Sequence, residues 1–281
     1  MGAGASAFTS AALLESTPEE LKASFKGLPD SAQQKLKVAV ARAGVRSLAP
    51  EKLDSASDLI RQLQEKKVSC AQLVEKSLAR ITATEELRAC VHVYACEARV
   101  KAKAVDEKII SGGTLGKLEG LPIVVKVNFD VSGTVTDASN PVLKGFVPKS
   151  TSPVIQSLLD AGAIMVAKTN MPEMARNTNM WSPIHGKCLN PVNLAHTPAG
   201  SSSGTAAAIA AGIVSTGIGS DTGGSCCGLV GFRPSPGRYS LEGCVPCVGP
   251  CDTPGPLATS VRDIMLMDSV ITGIKHDLKE A

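Results

Sequence analysis

The chain has 281 residues, 43 % hydrophobic and 20 % charged, which is enough for one large or two ordinary domains with a substantial core. A net charge of +3 without a dense basic tract argues against a nucleic-acid-binding surface, and the longest weakly polar run, 206–219, is too short and too rich in Gly, Ser and Thr to span a bilayer. Nine cysteines, an odd number at irregular spacing with no legible secretion signal, predict reduced thiols in a cytoplasmic setting rather than a disulfide framework.

The first residues, Met-Gly-Ala-Gly-Ala-Ser, fit the M-G-x-x-x-[ST] pattern for N-myristoylation of Gly2 within a flexible stretch over 1–16. One such lipid gives only weak, reversible membrane contact. Residues 17–50 read as a helical pair and linker, with Pro18 at a first helical position and Gly27 to Asp30 as the break between the helices. From Leu53 to Lys108 the apolar spacing is helical, and Ser69 with Gln72 forms a capping-box pattern. Residues 111–120 are a loop. Strands are predicted at Ile123–Val127 and Ala163–Ala167, the second after a helix over Pro153–Asp160 and a turn at Ala161-Gly162. This alternation predicts an α/β fold, a mixed sheet covered by helices on both faces, over 51–281. The Pro- and Asn-rich segment 170–200 is a long irregular loop, of the kind that carries function.

Chemistry concentrates around residues 200–225. The loops Gly200-Ser201-Ser202-Ser203-Gly204 and Asp221-Thr222-Gly223-Gly224-Ser225 flank a small-residue segment and offer hydroxyls on backbone that a ligand can approach closely. In LPIVVKVNFDV, Lys126 lies inside an apolar strand-like run, either as an edge-strand lysine or as a buried base. The first loop also matches G-x-S-x-G, but no apolar strand precedes it. A Ser-His-Asp triad is not supported either: His92, His185 and His196 read as surface or loop residues, and His276 stands near the last residue. Cys226, Cys227, Cys244, Cys247 and Cys251 crowd one region, and their spacing favours core thiols over a zinc site.

The segments GLPIVVKVN, KTNMPEMA, TPAGSSSGTAAAIAAG, GSDTGGS and CGLVGFRPSPGRYS resemble, in order and spacing, the amidase signature family, over roughly Leu53 to Gly273. Within it, GRYSLEG and CDTPGPLATSVRD look most like the indoleacetamide and mandelamide hydrolase branch, and less like the amidotransferase branch. The resemblance implies a Ser–cis-Ser–Lys triad. Lys126 matches the base, Ser201 the relay serine after a cis peptide bond, and Ser225 the nucleophile; backbone N–H groups of Thr222, Gly223, Gly224 and Ser225 match the oxyanion hole. The implied reaction hydrolyses a small carboxylic amide to carboxylate and ammonia, with neither metal nor cofactor.

The chain also departs from the family pattern. After Ser225 it reads Cys226-Cys227-Gly228, omitting a helical stretch that carries the arginine partner of the carboxylate at Asp221. Asp221 is therefore expected to lack its partner, and the oxyanion loop to lack the helix that sets its angle. Val127 stands where the family has aspartate, and Ala199 where it has glycine; family members also continue well past Gly273. An amidase-like protein with a binding role, or none, is the alternative these departures raise.

Overall fold

The computed structural model describes Pro29 and residues 47–50, 52–176, 179–226 and 229–276. The sequence expectations for 1–16 and for the helical pair, Gly2 included, lie outside those residues apart from Pro29 and the last four residues of the linker. The elements below all belong to one compact unit, Ser47–Ala281.

Helices α1 (Ala56–Gln64) and α2 (Cys70–Ala83) match the predicted periodicity. Ser69 caps α2 as expected: its hydroxyl accepts from Gln72 N, and the Gln72 side chain accepts from Ser69 N at 2.9 Å. The uninterrupted helical reading to Lys108 does not hold. Strand β1 (Cys90–Val93) breaks it before α3 (Ala95–Ile110). Four residues are too few for alternation to register against the helical pattern on either side.

The order along the rest of the chain is β2 (Pro122–Lys126), α4 (Pro153–Asp160), β3 (Ile164–Thr169), the short hairpin β4 (Trp181–Ser182) and β5 (Gly186–Lys187), then α5 (Ser203–Ala210), β6 (Thr216–Asp221), β7 (Val230–Gly231), β8 (Thr253–Ala258) and α6 (Val261–Thr272). The main sheet has six strands in the order β1-β3-β2-β6-β8-β7. Its centre, β3-β2-β6, is parallel, and the flanking pairs are antiparallel. This is the mixed sheet the sequence predicts.

Both faces of the sheet are covered. Val124 and Val166 pack with α2, α3 and α5 through Leu73, Val74, Ala102, Ala207 and Ile209. Ile123, Val125 and Ile218 pack on the other side with α4 and α6 through Ile155, Leu158 and Met267. Side chains alternate along a strand, so Lys126 falls on the Val124 side, the side of α5. The sequence thereby delivers one lysine to the end of a central strand, facing the serine-rich turn that opens α5. A glycine in β6 makes the approach feasible: a Cβ on Gly219 would stand 2.4 Å from Ser202 Oγ.

Candidate active site

Lys126 is fully buried on β2, between β3 and β6, so the edge-strand alternative is removed. Its Nζ lies 2.7 Å from Ser201 Oγ, 3.0 Å from Ser220 Oγ, 3.2 Å from Ser202 Oγ and 3.4 Å from Ser220 O. Burial pushes the ammonium down to about 8. The peptide bond between Gly200 and Ser201 is cis, and Ser201 is 4 % exposed.

The hydroxyls around Nζ are not equivalent. Ser202 Oγ donates to Ser220 O at 3.1 Å and accepts from Ser220 N, so its proton is committed to the backbone. Ser220 Oγ accepts from Asn128 Nδ2 at 3.1 Å. A neutral amine has two N–H bonds and one lone pair. With Ser220 and Ser202 oxygens accepting the two N–H bonds, the lone pair is left for the Ser201 hydroxyl, which makes the shortest contact. In that neutral state the Ser201 hydroxyl would donate to Lys126 Nζ. Ser220 and Asn128 were not identified from sequence, although both sit in segments flagged there: GSDTGGS and the two residues after Lys126.

Ser225 lies in the adjoining loop, tied to the first by Ser202 N donating to Ser225 O at 3.2 Å. The structure joins Lys126 to Ser201 by a hydrogen bond, but gives none between the Ser201 and Ser225 hydroxyls.

The expectation that Asp221 lacks a partner is overturned. Arg233 Nη1 donates to Asp221 Oδ1 at 3.0 Å and to Asp221 O at 2.6 Å, while Nη2 donates to Cys251 O. An arginine a few residues further on takes the vacated place, because β7 returns the chain along β8, beside the end of β6. Asp221 also accepts from Gly224 N at 2.7 Å and Cys226 N at 2.8 Å. Burial alone would raise this carboxyl, but the N–H groups of Gly224, Cys226 and Ser225 and the Arg233 guanidinium hold it below the usual carboxylate range. A second carboxylate fixes the other side of the loop: Asp252 accepts from Thr222 Oγ1 at 2.6 Å and from the N–H groups of Cys247, Val248 and Gly249. Two aspartates thus do the holding that the omitted helix was expected to do.

This anchoring bears on the N–H groups that the family resemblance assigns to an oxyanion hole. Gly224 N–H is turned onto Asp221, whereas Thr222 and Gly223 N–H are not among the groups Asp221 engages.

Of the clustered cysteines, Cys226 is buried, Cys244 and Cys247 are half-buried and Cys251 is exposed; Cys227 lies outside the described residues. Core thiols therefore describe Cys226, with burial pushing Cys244 up to about 12 as well, but not Cys251. No cysteine joins a metal-sized group among the described residues. One such group does exist elsewhere: His92, Asp137 and His185, two of which read in sequence as isolated surface or loop histidines.

The Amidase family model matches residues 72–281. The chain belongs to the amidase signature family. It is 41 % identical over 220 residues to the A subunit of the glutamyl-tRNA(Gln) amidotransferase of Synechococcus sp. (strain CC9605), covering 76 % of this chain and 45 % of that one. It is 40 % identical over 232 residues to mandelamide hydrolase of Pseudomonas putida, covering 79 % and 45 %. Among solved structures, the peptide amidase of Stenotrophomonas maltophilia superposes with a TM-score of 0.74 at 30 % identity, over 80 % of this chain and 49 % of that one. A further amidase crystal structure gives 0.74 at 35 %, over 78 % and 52 %. The chain spans about half the length of the relatives it matches. The hydrolase and amidotransferase relatives stand level, so identity does not separate the two branches. No helix among the described residues is long and apolar enough to cross a membrane.

Proposed function

We propose that this amidase-family chain carries the catalytic core of a serine amide hydrolase, with Ser225 as nucleophile, Ser201 as relay and Lys126 as base. The observation that carries the reading is the buried Lys126 Nζ at 2.7 Å from the hydroxyl of Ser201, next to the cis peptide bond. A lysine that burial brings down to about 8 is neutral often enough near neutral pH to accept a proton.

In the proposed cycle Ser225 Oγ attacks the amide carbonyl carbon. Its proton passes to Ser201 Oγ as the Ser201 proton passes to Lys126 Nζ. The developing oxyanion is stabilised by Thr222 and Gly223 N–H, the loop donors not engaged by Asp221; each such donor is worth about 100- to 1000-fold in rate. The intermediate collapses, the C–N bond breaks, and the proton returns through Ser201 to the leaving amine. Ammonia departs and leaves an ester on Ser225. Water then attacks that ester by the same relay, releasing a carboxylate and restoring the serine. The relay requires the Ser225 side chain to come within hydrogen-bonding reach of Ser201, and catalytic contacts commonly tighten only around substrate.

The substrate class we propose is a small primary carboxylic amide, and similarity to mandelamide hydrolase favours an arylacetamide. Similarity to the amidotransferase relative favours a second reading, in which the ammonia passes to a partner protein. Ammonia release from mandelamide, indoleacetamide and glutamine by the purified chain separates the two: turnover of the aryl amides supports the first, turnover of glutamine alone the second. No release from any of them by folded protein favours a binding role. Under either catalytic reading the protein works in a reducing cytoplasmic setting, with Gly2 as the lipid acceptor for weak membrane contact. Mass spectrometry of the N-terminal peptide after co-expression with an N-myristoyltransferase tests that modification.

A further inference from the structure

The side chains of His92, Asp137 and His185 form a cluster that the proposed reaction does not use. Asp137 Oδ2 is 3.0 Å from His92 Nε2 and 2.9 Å from His185 Nε2. The carboxylate is 1 % exposed, and its other oxygen accepts from Ser139 N at 2.8 Å, which fixes its orientation. The imidazole rings meet edge to face, with centroids 5.3 Å apart. The three residues come from separate segments. His92 is on β1, paired with Lys168 of β3; Asp137 follows β2, where Ala138 N donates to Val127 O; His185 sits in the β4–β5 turn, where its own N–H donates to Ser182 Oγ.

We propose that His92, Asp137 and His185 bind one divalent transition-metal ion of the zinc class, and that the ion staples the β4–β5 hairpin to the main sheet. Two imidazole nitrogens and one carboxylate oxygen are a donor set such ions take, with open positions left for water. Tetrahedral zinc sits about 2.0–2.2 Å from such ligands, which places neighbouring ligand atoms about 3.3–3.6 Å apart. The observed separations of 2.9 and 3.0 Å must widen by about half an ångström, which rotation of the two partly exposed imidazoles can supply. All the ligand atoms already lie within 4.8 Å of one another. One carboxylate and two neutral imidazoles leave a net charge of +1 on the bound dication. The histidine side chains are 26 % and 13 % exposed, so an ion can enter from solvent and retain water. Ser139 N already supplies the outer contact that holds a ligating carboxylate in place.

Without an ion, the same geometry is satisfied by two Nε2–H groups donating to one carboxylate oxygen. Titration of the untagged, chelator-treated full chain with Co2+ decides between the two. The proposal predicts one saturable equivalent, visible d–d absorption without thiolate charge-transfer bands, and paramagnetically shifted imidazole N–H resonances from two histidines. His185→Gln and His92→Gln, checked by circular dichroism, should each weaken binding at least about tenfold. Absence of a saturable equivalent overturns the proposal. So does binding that both variants retain, or a spectrum dominated by cysteine ligation. If either variant fails to fold, the imidazole resonances of the unmutated chain settle the matter: two shifted signals support the site, and none refutes it.

Discussion

Lys126 makes the sharpest prediction, because its ionisation links burial directly to rate. A base with a pKa of about 8 is neutral in about 1 % of molecules at pH 6, about 10 % at pH 7 and half at pH 8. If the neutral amine accepts the proton from Ser201, acylation of Ser225 should rise about 50-fold between pH 6 and 8 and by no more than about twofold above it. The assay is the second-order rate of fluorophosphonate labelling across pH 5.5 to 9.5, with folded state monitored in parallel. Lys126→Met should remove the rise along with most of the rate. A rate that is flat from pH 6 to 9, or that rises only near the ordinary lysine value, refutes the assignment. The same burial sets a stability signature. Folded Lys126 titrates at about 8, below the ordinary value of 10.5, so the unfolded chain binds the extra proton between those values. The penalty is fully present below pH 8 and fades as pH rises towards 10.5, amounting to about 3 kcal/mol. Denaturant unfolding should show Lys126→Met gaining on the parent chain at pH 7 and losing that advantage at pH 10.5.

Other substitutions test the scaffold. Ser201→Ala should slow labelling about 100- to 10,000-fold, because it removes the proposed relay without removing the proposed nucleophile; an unchanged rate would show that another group carries the proton. Arg233→Ala withdraws the cation from buried Asp221 and should cost about 1–3 kcal/mol in urea unfolding, discounted for the partial exposure of the guanidinium. It should also slow labelling, since Asp221 holds Gly224 and Cys226; no loss in either readout would mean that the pair does not anchor the loop. Ser69→Ala removes the cap of α2 and should cost about 1 kcal/mol, read as a shifted denaturant midpoint with an unchanged labelling rate.

What the sequence discloses depends on how local the cause is. Helix α4 appears over Pro153–Asp160 as expected, because Pro153 sets the first turn and Ala161-Gly162 ends the helix. Strand β2 shifts by only one residue from the predicted span, and its run of buried apolar residues is what makes Lys126 conspicuous. The α2 cap is written in two residues. Strand β1 is missed because its four residues, CVHV, acquire meaning only by pairing with β3. The recovery of Asp221 by Arg233 is non-local in the same way: motif comparison registers the arginine that is gone, and only the return of β7 along β8 shows the one that replaces it. The His92, Asp137 and His185 cluster had no local signal at all, since its histidines are 45 and 48 positions from Asp137 on segments that the sheet brings together. Gly224 illustrates the limit from the other side, because residue type identifies a flexible donor but not the carboxylate to which its N–H has turned.

Acylation of Ser225 through Ser201 and Lys126, as proposed, leaves a covalent trace that can be read. The most direct measurement is to react the folded chain with a fluorophosphonate and locate the adduct by peptide mass spectrometry, alongside Ser225→Ala. That variant should fold as the parent does, since the loop is held through its backbone and through Asp221 and Asp252 rather than through the Ser225 hydroxyl. A single adduct on Ser225, absent from the variant, is the expected result. Folded protein that takes up no label, or an adduct that persists in Ser225→Ala, would contradict it.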